Sequence, residues 1–142
     1  WGGGELAGAI ADDGGGGTRR VEVVGRGARA GADAQIGAKA VADWPLVKCA
    51  IHGCDPNWGR IAAALGKSAA KIDPARLAIR IAGTLVFSRG AGRPFSAKKV
   101  SAALDSPTVE IVCTLGLGKG TYTALTCDLS REYITINADY HT

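Results

Sequence analysis

Alternation of apolar and polar positions is the clearest signal in the chain. Over residues 18–24, Val21 and Val23 share one face and Arg20 and Glu22 the other, which predicts a strand that Gly25 and Gly27 end. The same period returns at Leu77, Ile79 and Ile81. It returns again at Val109, Ile111, Cys113 and Leu115, with Glu110 and Thr114 facing the other way. Residues 84–88, after Gly83, predict a paired or bent strand. Residues 122–127 and 133–137 predict two more, broken near Asp128-Leu129-Ser130, and residues 116–120 read as a turn.

Helical spacing governs the rest. Asp33 suits an N-cap, Ile36, Ala40, Val41 and Trp44 recur behind it, and Pro45 stops the pattern. Residues 46–51 form a brief apolar stretch. Asp55 then suits N-cap and Pro56 the first helical position, with Trp58, Ile61, Ala62 and Leu65 on one face and Gly66 at C′. Ser96 caps a last helix carrying Val100, Ala103 and Leu104 before Pro107. Residues 5–11 fit the closing turns of a helix. The four glycines at 14–17 must form a loop, since each costs a helix about 1 kcal/mol against Ala. Strands outnumber helices and cluster late. The expected fold is α+β, with a mixed or antiparallel sheet and helices packed on one face, and residues 1–142 form a single domain.

Composition sharpens this picture at one point. Glycine supplies 21 of 142 residues and aromatics only 6%, so the core is built largely from small side chains and is expected to lean on another chain or segment. No apolar run is long enough to span a bilayer, and the start has no secretory pattern. The expected location is therefore cytoplasmic, with no membrane partner. The residues include no Met, so a longer parent chain is expected. The net charge of +4 is scattered without a run of five like charges or interleaved aromatics, which argues against nucleic acid.

Cys49-x2-His52-x-Cys54 has the outline of a metal cluster, but Cys113 and Cys127 lie 14 apart and offer no second close pair. The expectation is no metal and reduced thiols, with disulfides left open. The glycine loop precedes a strand and not a helix, so it fits neither common phosphate motif. The segment from Asp55 to Arg60 joins a helix start, which favours anions, to an amide at Asn57 and a guanidinium at Arg60. It reads either as pocket support or as a capped, Trp-anchored helix start.

Asp55-Pro-Asn-Trp-Gly-Arg-Ile61 resembles a signature of the ornithine acetyltransferase (bifunctional glutamate N-acetyltransferase) family of arginine biosynthesis. Trp44-Pro-Leu-Val-Lys48, Cys127-Asp-Leu-Ser130 and Ile136-Asn-Ala-Asp-Tyr-His-Thr142 are similar to three further family segments, in the same order. The resemblance runs from about Leu6 to Thr142. It implies the C-terminal part of a β chain from a precursor that cleaves itself before a Thr. That new N-terminal Thr, paired with its own α-amine, would be the nucleophile. It would carry acetyl from N2-acetylornithine to glutamate, and in some members acetyl-CoA also serves.

The resemblance also implies that Asn137 and Thr142 contact substrate. It implies partners in the α chain and the remainder of the β chain, as an αβ heterodimer assembling further, with no bound cofactor. No catalytic residue is expected in this chain, because the nucleophile would lie upstream. One departure stands out: Gly15 occupies the position of a family Glu that contacts substrate. That replacement supports the alternative of a catalytically inactive relative, an amino-acid-binding or interaction module.

Overall fold

The computed structural model describes residues 19–128. The helix turns expected at 5–11, the glycine loop at 14–17 and the strand at 133–137 lie outside that range. In chain order the elements are β1 (Arg20–Ala28), α1 (Gly31–Asp43), α2 (Pro45–His52), α3 (Trp58–Lys67), β2 (Ala78–Ile81), β3 (Thr84–Ser88), β4 (Ala91–Gly92), α4 (Ala97–Leu104), β5 (Thr108–Thr114) and β6 (Gly120–Cys127). The six strands form one mixed sheet in the order β4-β3-β2-β5-β1-β6. β1 and β5 run parallel and the other neighbours are antiparallel.

The pairing register explains the alternation. Val23 stands opposite Ile111 on one side and Ala124 on the other, and Ile111 opposite Ile81. These four, all buried, make a row across one face of the sheet. Glu22 and Glu110 share the opposite face. All four helices contribute buried residues to a single core with the first face, among them Val41, Val47, Leu65 and Leu104. The class and the helix placement are as the sequence predicts, with the mixed sheet the form adopted.

Several local expectations are corrected. Gly25 and Gly27 do not end β1, which runs on to Ala28 through a register shift against β6, with Gly27 at φ +64°. Gly25 is there because a Cβ would sit 2.7 Å from the Ala34 carbonyl oxygen of α1; its glycine marks a close approach and not a break. α1 starts two residues before Asp33, behind Ala30. Asp33 is buried in the first turn, its carboxylate held by Arg29 Nε at 2.9 Å, where the positive helix end favours an acid. The buried stripe of α1 is Ala34, Gly37, Ala38 and Val41, while Ile36 remains 40% exposed. Small residues there let the helix lie close on the sheet.

The apolar stretch at 46–51 belongs to α2, with Pro45 in its first turn. Asn57, not Asp55, caps α3, and Gly66 lies inside that helix, which ends at Lys67 with Ser68 as its C-cap. Ser96 caps α4 as expected, its hydroxyl accepting from Lys99 N at 3.2 Å. Trp58 packs at a tilt against Phe87 with ring centroids 5.0 Å apart, fixing the start of α3 beside β3. Among the described residues no helix is long and apolar enough to cross a membrane.

Candidate functional site

Three of the sequence segments singled out above converge at one end of the sheet. β1 begins beside the end of β6, where Arg20 pairs with Cys127. Arg19 and Asp128, just beyond that pair, are tied to each other twice through the backbone side: Asp128 N donates to Arg19 O at 3.0 Å, and Arg19 N donates to Asp128 Oδ1. Arg19 Nη1 then reaches Asp128 Oδ2 at 3.1 Å.

The remaining bonds of this pair reach α2, the turn after it and the end of α4. Arg19 Nη1 donates to the His52 carbonyl at 3.0 Å, at the C-terminal end of α2, where a cation offsets the partial negative charge of unpaired carbonyls. Arg19 Nη2 touches Cys54 Sγ at 3.4 Å and Asp105 Oδ1, at the end of α4, at 3.1 Å. His52 Nδ1 lies 3.0 Å from Asp128 Oδ2. A carboxylate accepts, so the imidazole donates from Nδ1 and turns Nε2 away from it. Asp128 is completely buried and the Arg19 side chain is 13% exposed. Removing one partner of such a pair costs about 3–5 kcal/mol, since it strands the other charge. Burial works against the charged form of Arg19, yet Asp105, Cys54 and Asp128 together hold its pKa above the usual arginine value.

The turn from Cys54 to Asn57 is built tightly. Cys54 has φ +54°, which a non-glycine residue adopts only where its surroundings impose it. Asp55 N donates to Ala50 O at 2.8 Å, closing α2, and Asn57 N donates to Asp55 O at 2.8 Å. Asn57 Oδ1 accepts from Arg60 N at 3.1 Å as the cap of α3, and its Nδ2 holds Asp55 Oδ2 at 3.3 Å. Arg60 Nη1 donates to the Leu46 carbonyl at 2.9 Å, tying α3 to the first turn of α2.

The three residues expected to support a pocket are thus brought together, but engaged with one another and with helix ends. A cavity of about 320 Å³ lies against Trp44, Pro45, Ala64 and Lys67, and another of about 390 Å³ against Leu65, Lys71, Ile72 and Leu77. Asp55, Asn57 and Arg60 line neither of them. Within residues 19–128 Asn57 caps α3 and Arg60 ties that helix to α2, the contacts of a capped helix start. Gly15, Asn137 and Thr142 lie outside the described residues.

The cysteines are all unpaired: Cys49 exposed, Cys54 and Cys127 half-buried, Cys113 buried. Burial pushes the Cys113 thiol up to about 12. Burial also raises Cys127, although Lys48 pulls the other way. Cys54 and His52 are occupied by Arg19 and Asp128, and among the described residues no group of three or more His, Cys, Asp or Glu is placed to hold a metal.

Sequence reasoning missed the Arg19–Asp128–His52 cluster. Its partners stand up to 109 positions apart, and no local period reports them. The available signal was an Arg closing the glycine-rich run and an Asp within the Cys127–Ser130 segment.

Comparison with known proteins decides the family. The ArgJ family model matches residues 3–142. The chain belongs to the ArgJ family. It is 44% identical over 137 residues to the arginine biosynthesis bifunctional protein ArgJ of Nitrobacter winogradskyi, covering 96% of this chain and 33% of that protein. Against ArgJ of Oceanobacillus iheyensis it is 45% identical over 138 residues, 97% of this chain and 34% of the relative. The crystal structure of ArgJ from Bacillus halodurans superposes with a TM-score of 0.87 at 37% identity, covering 96% of this chain and 64% of that one. The chain therefore spans about a third of the length of the curated ArgJ relatives it matches.

Proposed function

We propose that this chain is the C-terminal part of the β chain of an enzyme that moves an acetyl group from N2-acetylornithine to glutamate. The observation that carries the reading is the ArgJ family match over residues 3–142. The agreement of the sheet and helices with an ArgJ structure supports it. In this reading the parent precursor cleaves itself, and the hydroxyl of the exposed Thr, upstream of this chain, attacks the amide of N2-acetylornithine, releases ornithine as the free amine and keeps the acetyl group as an ester-linked acyl-enzyme. The amine of glutamate then accepts it, so one difficult transfer becomes two easier ones. Asn137 and Thr142 contact the amino-acid substrate. The α chain and the rest of the β chain complete the site in the cytoplasm, and acetyl-CoA is a candidate second donor.

The test is acetyl exchange by the full-length product of the gene that encodes this chain, with N2-acetylornithine and glutamate as substrates. Exchange through an acyl-enzyme, seen as a mass gain of one acetyl group on the Thr-bearing chain, is the expected result. Absence of both exchange and amino-acid acetylation refutes the reading, and amino-acid binding without turnover would mark a catalytically inactive relative. The same assay measures position 15. A charge-assisted hydrogen bond is worth about 1.5–3 kcal/mol, so Gly15→Glu is expected to raise exchange several-fold.

A further inference from the structure

The cluster around Asp128 is more than the fold needs. A buried ion pair is a weak source of stability, because desolvating both charges offsets most of their attraction. Here a fully buried carboxylate is nevertheless satisfied on both oxygens, by the Arg19 backbone N–H on Oδ1 and by Arg19 Nη1 and His52 Nδ1 on Oδ2. Such an arrangement pins geometry. What it pins is specific: Arg19 Nη1 holds the His52 carbonyl, Nη2 holds Cys54 Sγ, and Asp128 holds the His52 ring. All three contacts fall on residues 52–54, directly before the Asp55–Asn57 turn that launches α3. Cys54 keeps its left-handed backbone there.

We infer that Asp128, with Arg19 as counter-ion, is a positioning residue that fixes the turn from His52 to Asn57 and so places Asp55 and Asn57 at the head of α3. The functional part of this inference rests on the acyl-transfer reading above; the positioning itself does not. Asp128 is fully buried and both its oxygens are held by Arg19 and His52, so its loss should disturb binding geometry and leave the acyl-transfer chemistry, carried in that reading by an upstream nucleophile, in place.

The experiment has two arms. In the full-length protein, Asp128→Asn is expected to speed hydrogen exchange of the Cys54, Asp55 and Asn57 amides at least tenfold, while Ile111 and Val112 in β5 stay within twofold. His52→Gln alters a partly exposed ring and one bond to the carboxylate, so it provides the same reading if Asp128→Asn does not fold; about threefold acceleration confined to residues 53–57 is expected. In the full-length protein, either variant should raise KM for N2-acetylornithine at least fivefold with kcat within twofold of the unsubstituted enzyme. Unchanged exchange at 53–57, or acceleration spread evenly through β1, β5 and β6, overturns the positioning role. A fall in kcat with KM unchanged overturns its functional part. If the unsubstituted full-length protein shows no acetyl exchange, the acyl-transfer reading fails separately, and amide exchange alone decides the positioning.

Discussion

At the scale of single residues, burial decides chemistry. Cys113 lies on the core face of β5, where the thiolate has no counter-charge and the thiol is pushed up to about 12. An acid with a raised folded pKa keeps its proton after the unfolded chain has lost it. Its stabilising contribution is therefore intact below the unfolded value and falls as pH climbs from about 9 towards 12. The full loss is about 4 kcal/mol. Denaturant midpoints should drop steeply above pH 9, and Cys113→Ala, although less stable at neutral pH, should lose that slope. An equal slope in both proteins would contradict the assignment. Asn57 offers a second case: Asn57→Ala removes the oxygen that caps Arg60 N and should cost about 1 kcal/mol by thermal or denaturant unfolding. The burial of Cys113 was readable from alternation. The cap was not, because Asp55-Pro56 satisfies the local rule equally well. The backbone of 53–57 is first spent on closing α2 and turning at Cys54, which delays the helix start by two residues.

At the scale of elements, period two carried further than period 3.6. Every apolar position predicted for β2 and β5 is buried, since a sheet covered on one side admits one register for its apolar face. α1 was harder to read. Its buried residues are small, and its largest apolar side chain, Ile36, points outward. The reason lies across the contact: β1 presents Gly25 to Ala34 and Ala38, and the two backbones approach too closely for larger groups. Gly25→Ala should destabilise the chain by about 1–3 kcal/mol, as overpacking forces α1 off the sheet. A shift in the unfolding midpoint measures it, and an unchanged midpoint would show that α1 yields without cost.

At the scale of the whole molecule, the chain spans a third of its ArgJ relatives, and in the acyl-transfer reading proposed above it supplies a wall of the site while the nucleophile lies elsewhere in the parent protein. Purified alone, the 142 residues should catalyse no exchange between N2-acetylornithine and glutamate; turnover by this chain in a radiolabel exchange assay would place a nucleophile within it. The sequence alone determined the fold class, the strand faces, the Ser96 cap and the family segments, because each is written in neighbours a few positions apart. Only the tertiary structure decided that β1 lies between β5 and β6, that Gly25 of β1 serves a helix contact, and that Arg19, His52, Cys54, Asp105 and Asp128 meet. Those outcomes depend on which distant backbones come within hydrogen-bonding reach, and a linear pattern holds no record of that distance until the chain has closed.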